Sequence, residues 1–130
     1  MELKDIDVLI VDDVRALRIQ VRDMLYSHGF RKFTVLESGE EAKAHLVVSP
    51  CNLILCDWHM GALSGLDLLK WVRKINGLSD IPFLMITAEQ TRDNVVQAIE
   101  LGVDNYLIKP ISPSQVRAKI LVALMKRGVI

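Results

Sequence analysis

Apolar residues along the chain follow two rhythms, short consecutive runs and longer stretches of helical period, and the two alternate five times. The runs are "DVLIV" (7–11), "KFTVLE" (32–37), "NLILC" (52–56), "PFLMI" (82–86) and "NYLI" (105–108). The first, third and fourth are apolar on consecutive residues, the pattern of strands covered on both faces. The second is more polar and is expected at an edge of the sheet.

Helices are expected between the runs. The first spans about Val14 to Ser27, with Leu17, Val21, Met24 and Leu25 on one stripe and Gly29 as its stop. The second opens at "SGEE", where Ser38 and Glu41 have capping-box spacing. The third opens at "SGLD", with Ser64 and Asp67 spaced alike and Leu68, Leu69, Val72 and Ile75 inward. The fourth runs from about Gln90 to Leu101 and is closed by Gly102. In the fifth, Ser112 is the expected cap, Pro113 takes the first helical position and Gln115 completes the box. Five strand–helix repeats predict an α/β fold, a parallel sheet with helices on both faces.

In such sheets the functional crevice lies beyond the carboxyl ends of the strands. The first strand ends in Asp12 and Asp13, the third in Asp57, the fourth in Thr87 and Ala88, and the fifth in Lys109 and Pro110. Three carboxylates brought to one edge repel and raise each other's pKa unless a cation lies among them. A hard divalent ion with oxygen ligands, Mg²⁺, would neutralise them, and Lys109 adds a further positive charge. An aspartate in that setting can attack phosphorus and form an acyl phosphate. The ion and the lysine would then hold the charge spread over the phosphoryl oxygens. Thr87 and the Ala88 amide can donate to those oxygens. Taken singly, each acid has a plainer reading: Asp12 or Asp13 would serve as the cap of the first helix.

Composition narrows the class without naming it. The 130 residues suit one domain (1–130, with its core from about 7 to 126). Sixteen basic residues balance sixteen acidic ones, which points to no nucleic-acid surface and no anionic membrane. No apolar run approaches a membrane span, and the N-terminus lacks the features of a signal peptide. Cys51 and Cys56 flank one extended run, roughly 16 Å apart and beyond disulfide reach. Two buried thiols in a reducing compartment are therefore expected, and with them a cytoplasmic location.

The strings "VLIVDD", "LILCDWHM", "LMITAE" and "NYLIKP", in that order and spacing, resemble the receiver domains of bacterial response regulators. The stand-alone chemotaxis receivers are especially similar, over about Asp7 to Lys126. The resemblance implies a flavodoxin-like doubly wound (βα)5 sheet with strand order 2-1-3-4-5. It implies Asp57 as phosphoacceptor and Asp13 as direct metal ligand. Asp12 would hold the metal through water, and the His59 backbone carbonyl would complete the protein ligands. Thr87 and Tyr106 match the family's switch pair, Lys109 its phosphate-sensing lysine, and the Lys109–Pro110 peptide would be cis. A sensor histidine kinase or histidine phosphotransfer protein would present a phosphohistidine. After transfer Thr87 would move toward the phosphate and Tyr106 would turn inward. An output protein would then read the face formed by the fourth helix, fifth strand and fifth helix. Slow autodephosphorylation would follow, with no other enzymatic role.

The chain departs from the family pattern in places. Gly61 stands where the family usually has proline, and Ser64-Gly65 where "DG" is common. Gly61 is expected to leave the loop around His59 more mobile and metal binding weaker than in a Gly61→Pro variant. His59 and Glu89, each two residues past a site residue, occupy positions that tune phosphoryl lifetime in the family. His59 either alters dephosphorylation or is an exposed loop residue without effect. Arg15, Arg18 and Arg22 form a stripe on the first helix, either a solvated face or a partner contact. Trp71 reads as partly buried packing. The fifth helix is apolar nearly all round, so it either meets a partner or homodimer mate or belongs to a longer protein. Two other functions compete. A haloacid-dehalogenase-type Mg²⁺-dependent phosphatase needs a second aspartate where His59 stands. A degenerate receiver would bind partners without phosphorylation.

Overall fold

The computed structural model describes residues 1–88 and 91–130; Glu89 and the expected helix start at Gln90 lie outside the described residues. After a 3-10 turn at Leu3–Asp5, strands and helices alternate as the periodicity predicts. They are β1 (Asp7–Val11), α1 (Arg15–Ser27), β2 (Lys32–Leu36), α2 (Gly39–Val48), β3 (Leu53–Asp57), α3 (Gly65–Lys74), β4 (Phe83–Thr87), α4 (Arg92–Glu100), β5 (Asn105–Ile108) and α5 (Pro113–Lys126). All pairings are parallel and the strand order is β2-β1-β3-β4-β5. The polar β2 is at an edge, and β3 and β4 are buried along their whole length.

Alternate side chains on the strands feed two cores. Val8, Ile10, Leu55, Leu84 and Leu107 meet Val21 and Leu25 of α1 and Val116, Ile120 and Leu124 of α5. Leu9, Val11, Ile54, Cys56 and Met85 meet Ala42 and Leu46 of α2, Leu68, Leu69 and Val72 of α3, and Ala98 of α4. This division explains the consecutive apolar runs, because each central strand must satisfy a core on both sides. Ile75, expected inward with the rest of α3, caps that helix and is half-buried.

The helix starts agree with the expected capping at two of three places. Ser64 and Asp67 exchange both bonds of the capping box, and the Ser38 hydroxyl accepts from the Glu41 amide. Ser112 departs from expectation. It makes no side-chain cap, and its hydroxyl lies 3.1 Å from that of Ser114 instead. Pro113 at the first helical position, which has no amide proton to satisfy, starts α5 without it. The Lys109–Pro110 peptide is cis. Cys51 and Cys56 are free and buried. Among the described residues no helix is long and apolar enough to cross a membrane.

Candidate functional site

The register of the sheet brings the predicted strand ends together. Asp57 closes β3 opposite Ile86, and Thr87 closes β4 opposite Ile108. The Lys109 amide then donates to the Thr87 carbonyl at 2.9 Å, which fixes the lysine beside the fourth strand. The Asp12 amide bonds the Leu36 carbonyl at 3.1 Å, so the end of β1 is held equally firmly. The site is thus assembled from residues at or directly after strand ends, which hold geometry more precisely than long loops do.

Carboxylate oxygens of Asp12, Asp13 and Asp57 lie within 4.8 Å of one another. Asp12, Asp57 and Thr87 are buried, whereas Asp13 is exposed at the mouth. The Lys109 ammonium reaches the Asp57 carboxylate at 3.3 Å and that of Asp12 at 3.6 Å. Burial pushes the Asp57 pKa up, and Lys109 and the Trp58 amide pull against it. Asp12 is also raised by burial; the Val14 amide opposes this, while the Asp57 charge adds to it. Among the described residues, one ammonium against three acids leaves the site short of positive charge. The donors around the deficit are oxygens, the set a hard dication prefers.

Asp12 has a second task. Its Oδ1 accepts from the Val14 amide at 2.9 Å, which closes the turn ahead of α1. Val14 itself is the N-cap residue and α1 has no side-chain cap, so the plainer reading of Asp12 or Asp13 as the helix cap does not hold. The arginine stripe divides. Arg22 pairs with the neighbouring Asp23 on the surface, but Arg18 is half-buried and donates to the Asp12 carbonyl at 2.7 Å. Arg18 therefore leaves the solvated face and braces the backbone of the acid cluster. Its sequence signal was a position early in the helix that follows the strand end, facing back toward it.

Tyr106 is already buried, and its hydroxyl donates to the Asn94 carbonyl of α4 at 3.3 Å. The ring packs into the core and its hydroxyl finds a partner there, the inward position that the resemblance associates with phosphoryl transfer. His59 is exposed beside the site and Ala88 is exposed at the end of β4. The expected tuning position Glu89 falls outside the described residues. Gly61 adopts φ +78°. Proline, fixed near −65°, cannot follow that path, so Gly61→Pro is not the neutral reference that the sequence suggested. Trp71 is half-buried, with the Lys43 ammonium 5.4 Å above its ring. On α5, Val122 and Met125 are exposed.

Comparison with known proteins gives the same architecture a family. The family model described as the response regulator receiver domain matches residues 8–121. Chemotaxis protein CheY-3 of Vibrio cholerae is 33% identical over 117 residues, 90% of each chain. The solved receiver domain of the Francisella response regulator 1452 superposes with a TM-score of 0.84 at 26% identity, covering 94% of this chain and 98% of that one. The Mn²⁺-bound form of response regulator Rcp1 gives 0.75 at 27% identity over 80% of this chain and 81% of that one. With the fold, the acid cluster and these likenesses in agreement, the chain belongs to the response regulator receiver domains of two-component systems.

Proposed function

We propose that Asp57 accepts a phosphoryl group from a phosphohistidine and that the domain carries it as a signal to a partner. One observation carries the reading: a buried aspartate at a strand end, 3.3 Å from an ammonium and within 4.8 Å of two further carboxylates. Mg²⁺ is the cation this donor set suits, held by Asp13, Asp57 and the His59 backbone carbonyl, with Asp12 reaching it through water. When bound, such an ion supplies the positive charge that the cluster lacks. Response regulator Rcp1, similar in fold, has been solved with Mn²⁺ bound, and that divalent ion supports the assignment.

The chain's own residues then have separate tasks. An Asp57 carboxylate oxygen attacks phosphorus as the P–N bond of the phosphohistidine breaks, its electron pair returning to the imidazole. Lys109 pairs with a phosphoryl oxygen. The Thr87 hydroxyl and the Ala88 amide donate to the others, so charge is matched as it spreads. Thr87 and Tyr106 form the switch, and phosphorylation biases a pre-existing equilibrium toward the inward tyrosine. Water later cleaves the acyl phosphate, with His59 and Glu89 placed in this reading to tune the rate. No other substrate is turned over.

The donor is a sensor histidine kinase or a histidine phosphotransfer protein. The receiver of the signal is an output protein on the α4–β5–α5 face, where Val96, Ile99, Val122 and Met125 are exposed. A homodimer mate would use the same apolar surface. The work is done in the cytoplasm by a single domain, without direct contact with nucleic acid or membrane. Incubation with acetyl phosphate and Mg²⁺ tests this. Added mass on Asp57, absent in Asp57→Asn, supports the reading. Turnover of added phosphomonoesters would favour a phosphatase, and no modification would favour a receiver that binds unphosphorylated.

A further inference from the structure

Trp58 follows the phosphoacceptor directly, and its backbone and side chain face different groups. Its amide donates to Asp57 Oδ1 at 2.9 Å. Its indole is 7% exposed and lies against the Tyr106 ring, with centroids 6.4 Å apart and planes 22° from parallel. Offset stacking at this separation is among the favoured geometries of two aromatic rings. Tyr106 itself, 8% exposed, joins three elements. Its hydroxyl donates to the Asn94 carbonyl of α4 at 3.3 Å, and its backbone carbonyl accepts from Lys119 of α5 at 2.7 Å. Its amide donates to the side chain of Asn105 at 2.8 Å.

Because β5 is an edge strand, the outward backbone groups of Tyr106 point away from the sheet. Asn105 and Lys119 satisfy them with side chains, so the backbone at 106 is pinned to α5. The ring therefore has one principal freedom, rotation about its own side-chain bonds. That rotation would separate it from the indole and break the bond to α4 together.

We propose that the Trp58 side chain is a positioning residue that holds the Tyr106 ring inward and so links the Asp57 loop to α4 and α5. This deepens the receiver reading, on which its meaning for signalling rests. A route through the indole runs beside the one through Thr87, and it starts from a residue whose amide already touches the phosphoacceptor carboxylate.

The experiment uses the full chain carrying Asp57→Asn, so that no phosphorylation step enters, labelled with 3-fluorotyrosine. Tyr26, 55% exposed, serves as the internal solvent reference beside the buried Tyr106. In the Trp58→Leu variant the Tyr106 fluorine resonance is expected to move toward that of Tyr26 and to gain its sensitivity to a soluble paramagnetic agent. Trp58→Phe, which keeps a ring in place, is expected to retain the buried resonance. A Tyr106 resonance that stays buried in folded Trp58→Leu overturns the proposal. Should Trp58→Leu fail to fold, the reciprocal measurement decides. In a Trp71→Phe background, Tyr106→Leu is expected to red-shift Trp58 emission and raise its quenching by iodide; unchanged emission and quenching overturn the proposal. Neither result depends on phosphoryl uptake, so failure of acetyl phosphate labelling at Asp57 is a separate outcome.

Discussion

The Lys109 ammonium sits between two acids, 3.3 Å from the carboxylate of Asp57 and 3.6 Å from that of Asp12. Among the described residues it is the cation placed to meet negative charge that develops on a group attached to Asp57. Removing a preorganised donor of this kind costs on the order of 10²–10³ in rate. Lys109→Gln should therefore slow labelling by acetyl phosphate by roughly that factor at saturating Mg²⁺, measured by intact-protein mass against time. An unchanged rate would show that Lys109 is not used in the transfer.

Burial raises the pKa of Asp12 and Asp57 above the ordinary 3.8 in the absence of a metal ion. The sign follows from linkage: the folded state holds these protons more tightly than the unfolded state, so stability falls as pH climbs from 3.8 through the raised folded values. At pH 7 the acids are a liability. In EDTA, Asp57→Asn and Asp12→Asn should show higher urea midpoints than the parent chain, with the gap closing as the pH falls below 3.8. Added Mg²⁺ should raise the parent's midpoint and narrow the gap, because it binds the folded acids preferentially.

Two glycines flank the site for opposite reasons. At Gly65 an added Cβ would stand 2.2 Å from the Asp57 carbonyl oxygen and 2.9 Å from the Met85 sulfur. The Gly65 amide also bonds the Trp58 carbonyl at 2.8 Å, so α3 cannot retreat freely. Gly65→Ala should cost at least about 1–3 kcal/mol, the usual range for overpacking, and should slow phosphoryl uptake by displacing Asp57. Gly61 has open space around it and a φ of +78°. Gly61→Ala should then cost only the left-handed backbone penalty, about 1–2 kcal/mol by urea denaturation. Equal slowing of phosphoryl uptake by the two substitutions would contradict this division.

Asp104 gathers charges at the opposite end of the sheet. It accepts from Arg73 at 2.9 Å, from Arg127 at 2.8 Å and from the Phe83 amide at 2.8 Å. Arg73 also donates to the carbonyls of Gly102, Ser79 and Ile81. Burial pushes the Arg73 pKa down, and Asp104 is among the groups that oppose this. Removing one partner of a buried ion pair typically costs ~3–5 kcal/mol, because the other is left uncompensated. Asp104→Ala should lose stability on that scale in urea, whereas Asp80→Ala, whose carboxylate is exposed 3.9 Å from Arg127, should lose less than ~1 kcal/mol.

Much of this molecule was legible from local pattern. The consecutive apolar runs located the strands to within a residue at each end, and Ser38 and Ser64 announced two helices by hydrogen bonds that span three residues. The acids, threonine and lysine were legible because they directly follow strands, where period alone says the chain leaves the sheet. These signals survive in a single sequence because the interactions behind them reach only a few residues along the chain.

What only the tertiary structure decided involves residues far apart in sequence. The alternation implies a parallel sheet but no order; the order 2-1-3-4-5 was available through family resemblance and is a matter of how helices cover the two faces. Tyr106 on β5 found Trp58 across β4, and its backbone carbonyl found Lys119 of α5. The Asp104 cluster joins a loop to α3 and α5, which no local period encodes. In each case the partner is supplied by packing, and packing energies depend on which surfaces the whole chain brings together.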